Sequence, residues 1–352
     1  MKRKKIFLVL SVWLGIFALA EISVRIYCYA KGRLMPVVNS LENEWEWVEK
    51  HLDPDAEFSS SLVFDSSIGW QNKPKYKSED GKIQLNSRGM RSTKEYAKKK
   101  STLKRILILG DSYTFGSHVA NNEIYSHYLD EKLPDYEVLN MAIQGSGNDQ
   151  HLLAYQKYGK EYQADVVVFG FFVLSYFRNF LSFRGYAKPH FTIENNSLVL
   201  QNSHIIPPEE LISQYRSGQK TFGKWYDSYL YNGLYRAIYK ASTRRLNEKA
   251  YGWKVLSLIM EAYYKEVTES GARPLWLIIP NRDVYKENYR YEAIQDLCEQ
   301  KCIKMNMPYI RLDKKFLTVD KKIVFRPKNV GGHFTPEGHE MVADAIRDWV
   351  KK

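Results

Sequence analysis

A regular alternation of short apolar runs and helical patterns begins at Arg105 and continues to the end of the 352-residue chain. The apolar runs predict strands over residues 105–109, 137–141, 166–172, 275–279 and 309–312. The intervening patterns predict helices over residues 123–133, 150–158, 251–269, 287–305 and 336–350. Strands that alternate with helices form a parallel sheet with helices on both faces. The sequence therefore predicts an α/β fold, a three-layer doubly wound parallel sheet.

An insertion interrupts this alternation between the third and fourth strands, at about residues 180–248. It contains a predicted hairpin, residues 191–193 and 198–200, that turns at Asn195 and Asn196. An aromatic helical pattern follows, carrying Trp225, Tyr226, Tyr229, Tyr231, Tyr235 and Tyr239. Two interpretations stay open at this point: a lid or substrate platform, or aromatic side chains that serve only packing.

The N-terminus has the layout of an export signal. Four basic residues, 2–5, precede fifteen uncharged and mostly apolar residues, 6–20. Ala18 and Ala20 would suit signal peptidase, yet apolar character resumes to Ala30, interrupted only by Glu21 and Arg25. That longer stretch would span a bilayer if the two charges lie near its interface. The alternatives are an uncleaved anchor, a cleaved signal and a merely buried helix.

Export of the chain would determine which partners its net positive charge favours. Residues beyond about 30 would lie outside the cytoplasm, which argues against nucleic acid as a partner. The excess of basic residues, 52 − 40 = 12, then favours an anionic cell envelope. The predicted organisation is a signal anchor or signal peptide over residues 1–30, a polar approach segment over 31–100 that packs on the domain, and an α/β domain over 101–352.

The cysteines indicate no special chemistry. Cys28 lies in the anchor, while Cys298 and Cys302 are four residues apart in a helical pattern, where geometry disfavours a disulfide. No histidine accompanies them. The sequence therefore predicts no metal site, and nothing in it calls for a cofactor.

A candidate nucleophile follows the first strand directly, in the run Gly110-Asp111-Ser112-Tyr113-Thr114-Phe115-Gly116. Open α/β sheets bind ligands at the carboxyl ends of their strands. Near a helix N-terminus, the hydroxyl and backbone N–H of Ser112 could meet a substrate carbonyl and the oxyanion that forms from it.

A nucleophilic serine needs a base, and His333 has the most suggestive context. It precedes the last helix, whose start is marked by Thr335 and Pro336. A loop histidine after the last strand can reach the end of the first strand, because both open on the same edge. His339 lies inside the helix and is predicted to be structural. The remaining histidines, at 51, 118, 127, 151, 190 and 204, lack such a setting.

These blocks resemble the SGNH hydrolase superfamily, also called the GDSL family, and particularly its bacterial membrane-anchored members. The run 110–116 matches the nucleophile block, Asn140-Met141-Ala142-Ile143-Gln144-Gly145 matches the second block, and 333–339 resembles the last. Upstream, 68–70 and 86–91 resemble a segment that often precedes the nucleophile strand in these anchored proteins. The resemblance implies a flavodoxin-like SGNH hydrolase fold and assigns an oxyanion-hole N–H to Gly145.

Two departures weaken the inference to activity. Leu174 and Ser175 stand where the family usually presents an Asn-Asp pair, whose asparagine donates to the oxyanion. Asn148, which precedes the third strand, is either a helix N-cap or a relocated oxyanion donor. The family also places an acid two or three residues before the histidine, where this chain has Val330 and Gly331. Asn329, a backbone carbonyl or Asp313 could orient His333 instead.

The resemblance thus implies an extracytoplasmic serine esterase or acyltransferase acting on acyl esters, O-acetyl above all, of an envelope or extracellular glycan. Ser112 and His333 would be catalytic, with the oxyanion hole formed by Ser112, Gly145 and, as an alternative third donor, Asn148. The expected partners are an acylated carbohydrate, the membrane and envelope polysaccharide machinery. The competing hypothesis is a catalytically impaired SGNH-fold protein that binds glycan or assists assembly.

Overall fold

The computed structural model describes residues 2–30, 44–53, 61–98, 102–220, 228–231, 233–234 and 246–352. The chain divides into two compact units. One comprises residues 1–56 and 208–244, and the other comprises residues 57–207 and 245–352. The second unit carries the predicted sheet and both blocks of candidate catalytic residues.

Nine strands are described: β1 Leu62–Asp65, β2 Gly69–Asn72, β3 Lys104–Leu109, β4 Tyr136–Asn140, β5 Val166–Phe172, β6 His190–Glu194, β7 Ser197–Gln201, β8 Arg273–Ile279 and β9 Tyr309–Arg311. Five of them form one sheet in the order β4-β3-β5-β8-β9. Every pair in this sheet is parallel. The predicted fold class is confirmed, with each predicted strand found within two residues of its expected bounds.

The α-helices of the described residues are α1 Lys2–Ala30, α2 Glu44–His51, α3 Ser112–Phe115, α4 Tyr125–Lys132, α5 Asn148–Ala154, α6 Pro208–Arg216, α7 Tyr251–Glu269, α8 Glu292–Met305, α9 Leu312–Phe316, α10 Lys321–Val324 and α11 Pro336–Val350. Helices α4 and α11 pack on each other, as do α5 and α7. The helix predicted from residue 287 begins only at Glu292, because a 3-10 turn at Arg282–Tyr285 and a loop precede it.

The core lies between the central strands and the helices that cover them. Every residue of β5 is buried, and Phe169 stacks on Trp276 of the neighbouring strand with ring centroids 4.5 Å apart. The Tyr263 hydroxyl donates to the Val167 carbonyl at 2.5 Å and accepts the Leu275 N–H at 3.2 Å. This helix side chain therefore joins the two central strands β5 and β8.

Residues 61–98 contact the loop that follows β4. Trp70 is buried and donates its indole N–H to the Gln144 carbonyl at 3.0 Å. The Asn72 amide donates to the Ala142 carbonyl at 2.8 Å and to the Gly89 carbonyl at 3.1 Å. This part of the chain therefore supports the backbone just before Gly145.

The insertion contains the predicted hairpin. Strands β6 and β7 pair in antiparallel fashion, and Asn195 and Asn196 turn between them with φ of 48° and 59°. The aromatic pattern that follows is described only at residues 228–231 and 233–234. Trp225, Tyr226, Tyr235 and Tyr239 lie outside the described residues.

The unit that contains the N-terminus consists of α1, α2, α6 and the short described segments after α6. Helix α1 is long and apolar enough to cross a membrane. Helices α2 and α6 are joined by the Tyr215 hydroxyl, which donates to Glu44 at 3.0 Å, and by Arg216, which donates to the Leu52 carbonyl at 3.0 Å.

A buried ion pair gives a test of the fold around α5. Asp149 and Lys188 are both fully buried and 2.5 Å apart. Lys188→Met would leave a buried carboxylate without its cation, so we expect the free energy of unfolding to fall by about 3–5 kcal/mol. Urea unfolding of the full chain in detergent, followed by tryptophan fluorescence, measures this change.

The matched control is the more exposed pair of Lys98 and Glu161, whose side chains retain 52% and 33% of their accessible surface. Lys98→Met should cost no more than about 1 kcal/mol, because solvent already screens that pair. Equal losses in the two variants would contradict the role given to Asp149 and Lys188.

Candidate active site

The turn after β3 presents Ser112 at the carboxyl edge of the sheet. Asp111 caps the short helix α3, its carboxylate accepting the Tyr113 N–H at 3.0 Å. Ser112 is therefore the first helical residue and is only partly buried. The same turn is joined to the loop after β4 by a hydrogen bond from the Ile143 N–H to the Gly110 carbonyl, 2.9 Å.

The structure brings His333 to this serine. The distance from His333 Nε2 to Ser112 Oγ is 2.9 Å, although 221 residues separate them. The Tyr113 hydroxyl donates to the Gly332 carbonyl at 3.0 Å, and the Tyr113 ring lies 4.7 Å from the His333 ring. The residue after the nucleophile therefore positions the loop that carries the histidine.

The imidazole of His333 is held in its neutral form. Burial lowers its pKa, and the charges of His118, Arg178 and Arg326 act in the same direction, so the pKa falls to about 4. At neutral pH the ring can therefore accept a proton at Nε2. That tautomer carries its other proton at Nδ1, and this atom has no hydrogen-bond partner within the described part of the chain.

The surroundings of Gly331 explain why this position, two residues before His333, holds no acidic side chain. The residue lies at φ +92°, and a Cβ there would come 2.9 Å from His333 Nδ1 and 2.6 Å from His118 Nε2. The His118 and His333 rings are 5.0 Å apart. The side facing Nδ1 is thus occupied by a second imidazole, a neighbour that sequence reasoning set aside because His118 belongs to no recognisable block.

Gly145 turns the loop after β4 with a φ of +77°. The Gln144 carbonyl next to it accepts from Trp70, and the Gln144 side chain accepts from the Ser117 hydroxyl at 3.1 Å. Within the described residues, no acceptor engages the N–H of Gly145 or that of Ser112. Both groups are therefore available as donors.

Arg178 joins these two loops. It follows β5 in a 3-10 stretch, Val173–Phe180, and its Nη1 donates to Asp111 Oδ2 at 2.7 Å and to the Ser146 carbonyl at 2.9 Å. Asp111 is fully buried, so the guanidinium neutralises a charge that has no access to water. The residue before the nucleophile and the residue after Gly145 thus share one cation.

Asn148 does not cap its helix, so that prediction was wrong. The N-cap residue of α5 is Gly147, and the Asn148 N–H donates to the side chain of Asn179 at 2.8 Å. The Asn148 side-chain oxygen accepts from Ser175 Oγ at 3.1 Å. Its Nδ2 is buried and has no partner within the described part of the chain. Asn148 therefore stays a candidate third donor, and Ser175 fixes its amide.

His339 is buried in α11, where its Nδ1 accepts the Tyr125 N–H at 3.3 Å, as expected of a structural residue. Cys298 and Cys302 are buried within α8, and burial raises the pKa of the Cys302 thiol to about 12. Across the described ranges, no three His, Cys, Asp or Glu side chains are grouped so that they could hold a metal ion.

Comparison with known proteins finds no matching family model and no matching curated protein. Several solved structures are similar. A member of the lipolytic protein G-D-S-L family from Veillonella parvula DSM 2008 is 11% identical, with 71% of this chain and 99% of that chain covered and a TM-score of 0.42. A lipase/acylhydrolase from Enterococcus faecalis is 13% identical, with 71% and 96% covered and a TM-score of 0.41.

An acetyl-xylooligosaccharide esterase from Geobacillus Stearmophilus is 11% identical, with 70% and 94% covered and a TM-score of 0.41. At these identities the likeness concerns the course of the backbone and leaves the substrate open. The strand order, together with Ser112 after the first parallel strand of the sheet and His333 before the last helix, agrees with the fold that the sequence resemblance implies. The chain has an α/β fold built on a five-stranded parallel sheet.

Proposed function

We propose that this protein is an extracytoplasmic serine esterase or acyltransferase that acts on acyl esters, principally O-acetyl esters, of an envelope or extracellular glycan. The observation that carries the chemistry is the 2.9 Å hydrogen bond between Ser112 Oγ and His333 Nε2. A serine in contact with a neutral imidazole, at the carboxyl edge of a parallel sheet, is the arrangement that nucleophilic acyl transfer requires.

The proposed reaction begins as Ser112 Oγ attacks the ester carbonyl carbon and its proton passes to His333 Nε2. The N–H groups of Ser112 and Gly145 stabilise the oxyanion of the tetrahedral intermediate. Collapse breaks the ester C–O bond, His333 returns the proton to the leaving alcohol, and an acyl-serine remains. Water or a sugar hydroxyl then attacks the acyl-serine carbonyl and gives its proton to His333 Nε2. Collapse breaks the bond between the acyl carbon and Ser112 Oγ, His333 returns the proton to Oγ, and the acyl group leaves as the free acid or as the new sugar ester.

The proposed glycan substrate and the proposed location outside the cytoplasm are supported by the N-terminal helix and by the net charge. The apolar helix α1 is compatible with an anchor, and the basic residues in front of it would stay in the cytoplasm. The domain would then lie outside, where its excess of twelve positive charges favours an acidic polymer. Acylated carbohydrate and the envelope polysaccharide machinery are the partners that this placement supports.

A second candidate is a catalytically impaired member that binds glycan or assists assembly. Two observations favour it: Leu174 stands in place of an amide donor, and His333 Nδ1 has no acceptor within the described residues. Loss of one oxyanion donor costs roughly 10²- to 10³-fold in rate. The two candidates differ in whether Ser112 is an activated nucleophile.

A fluorophosphonate probe tests that difference. We expect the probe to label the full chain in detergent and Ser112→Ala to abolish labelling, because only a serine deprotonated by a neighbouring base attacks phosphorus at a useful rate. The exposed Ser213→Ala is the matched control and should label like the unmodified chain. A folded protein that remains unlabelled at high probe concentration would reject the enzyme in favour of the binder.

The pH dependence of labelling tests the base. Below a pH of about 4 the labelling rate should fall about tenfold per pH unit, because the lowered pKa of His333 keeps the ring neutral only above that value. The groups that face His333 are Tyr113, His118, Arg178 and Arg326. His118→Ala removes both a positive neighbour and part of the burial, so the midpoint should move to higher pH.

The control for this measurement is His127→Ala, which removes a partly exposed histidine paired with Glu131. It should leave the midpoint unchanged, and near-UV circular dichroism should show that every variant stays folded across the pH range. A midpoint that is the same in His118→Ala and the unmodified chain would show that the second imidazole does not influence the base.

Arg178→Met tests the ionic link between the two loops. It leaves Asp111 buried without a cation, so the free energy of unfolding should fall by about 3–5 kcal/mol. Labelling of Ser112 should slow roughly 10- to 10²-fold, because the loop that carries Gly145 loses its ionic link to the nucleophile turn and the oxyanion donors are held less firmly. Stopped-flow labelling and urea unfolding measure the two effects separately.

The double variant Arg178→Met/Asp111→Asn separates stability from positioning. It removes the unpaired buried charge, so much of the stability should return, whereas labelling should remain slow because the guanidinium no longer joins the Ser146 carbonyl to the nucleophile turn. Recovery of the full labelling rate in the double variant would mean that Arg178 serves stability alone.

A further inference from the structure

The last part of the insertion, residues 208–244, has an unusual composition. Eight of its 37 residues are aromatic, against 14% in the whole chain, and six basic residues face three acidic ones. It belongs to the same compact unit as the N-terminal helix α1. Tyrosine and tryptophan are enriched at the water interface of membranes, and basic side chains are attracted to anionic lipid.

Helix α1 holds this part of the insertion through Glu21. The Glu21 carboxylate accepts the backbone N–H groups of Tyr229 and Leu230, at 2.8 and 2.9 Å, and the Ser228 hydroxyl at 2.9 Å. It also accepts Arg25 Nε at 2.7 Å. An acidic side chain in an otherwise apolar helix is thus paired entirely with the insertion and with one arginine on its own helix.

The position of Glu21 along α1 sets the depth of this contact. The uncharged stretch 6–20 has fifteen residues, and at 1.5 Å per residue it extends roughly 22 Å, less than the hydrocarbon thickness of about 30 Å. When Lys5 lies at the inner boundary of the hydrocarbon, Arg25 is about 30 Å along the helix and falls at the outer boundary, while Glu21 is about 24 Å along and falls roughly one helical turn inside it. Whatever Glu21 binds therefore lies at the edge between the hydrocarbon and the outer headgroups.

The side chains presented at this depth are apolar and exposed. Tyr231 retains 64% and Leu234 retains 60% of their accessible surface. The Arg25 guanidinium lies over the Tyr229 ring, 4.5 Å from its centroid. An exposed leucine and tyrosine beside an arginine, continuous with an apolar helix, match the lipid boundary layer, where apolar side chains enter the acyl region and polar ends remain in water.

We propose that residues 228–231, 233 and 234 form a second membrane contact, which lies at the edge between the hydrocarbon and the outer headgroups of the bilayer that α1 spans and is held there by Glu21. This inference rests on the anchoring proposed above and is independent of the catalytic assignment. It assigns to this part of the insertion a lipid surface of phospholipid headgroups as its partner, in place of the lid or the packing role that the aromatic pattern suggested.

Depth-dependent quenching tests the proposal. The full chain, with Cys28, Cys298 and Cys302 replaced by alanine and its fold verified by urea unfolding, receives an NBD label at Leu234→Cys. It is then reconstituted into phosphatidylcholine–phosphatidylglycerol vesicles containing lipids brominated near the headgroup. We expect fluorescence to fall at least about twofold relative to vesicles without bromine, because the label lies in the boundary layer.

The matched control is Leu317→Cys, an exposed leucine in the unit that carries Ser112, whose label should be unaffected by bromine. Co-sedimentation with the vesicles reports insertion of α1 by itself, so failed anchoring is distinguished from a failed second contact. Equal quenching at the two positions in a co-sedimenting protein would overturn the proposal. Protection of Leu234 from bromine by a cross-linkable second copy of the chain would also overturn it.

Glu21→Ala tests the link to the anchor. The substitution makes α1 more apolar, so the protein should still co-sediment, while quenching at Leu234 should fall to the level of Leu317. Unchanged quenching in Glu21→Ala would reject Glu21 as the residue that holds the contact at the surface.

Discussion

The buried guanidinium of Arg178 is the interaction on which the geometry of the site depends. The turn that carries Ser112 and the loop that carries Gly145 follow different strands, so their separation is set by non-covalent contacts. Besides the bond from the Ile143 N–H to the Gly110 carbonyl, Arg178 joins them by donating to Asp111 and to the Ser146 carbonyl with the same nitrogen. Asp111 has no access to water, so removing either partner would leave the other as an uncompensated buried charge.

The histidine side of the site is organised differently from a serine triad. A triad carboxylate orients the imidazole and stabilises the imidazolium that forms during the reaction. Here Gly331 leaves no room for a side chain, and a second imidazole, that of His118, lies next to Nδ1. The surroundings lower the pKa of His333, so its imidazole is unprotonated at neutral pH but accepts a proton less readily. Catalysis at such a site would depend mainly on positioning and on the oxyanion donors.

In the unit that contains the N-terminus, a charged side chain is likewise paired with groups from a distant part of the chain. A carboxylate within an apolar helix is costly in lipid unless it is paired, and Glu21 is paired with backbone N–H groups of the insertion. Charge compensation thus organises both parts of the molecule: Arg178 holds the loops around Ser112, and Glu21 holds the insertion to the helix at the N-terminus. In each case the partner comes from a distant part of the chain.

Much of the fold was predictable because strands and helices leave local periodic patterns. The five strands of the sheet, the hairpin at Asn195 and Asn196, and the helices 251–269 and 336–350 are all encoded by neighbouring residues. Ser112 and His333 were predictable as candidates because one follows a predicted strand directly and the other precedes a predicted helix. The tertiary structure brings Ser112 Oγ and His333 Nε2 to within 2.9 Å of each other.

The tertiary structure alone decided the residues around them. Arg178 lies 67 positions from Asp111, and His118 lies next to Gly331 although 213 positions separate them. Asn148 does not cap α5 as expected, and its side chain contacts Ser175. No local pattern encodes such contacts, since they depend on where loops from different strands converge. The sequence by itself thus determined the α/β sheet, the apolar N-terminus and the two candidate catalytic side chains. The folded chain decided which charges surround those side chains, because burial and pairing exist only once distant segments are packed together.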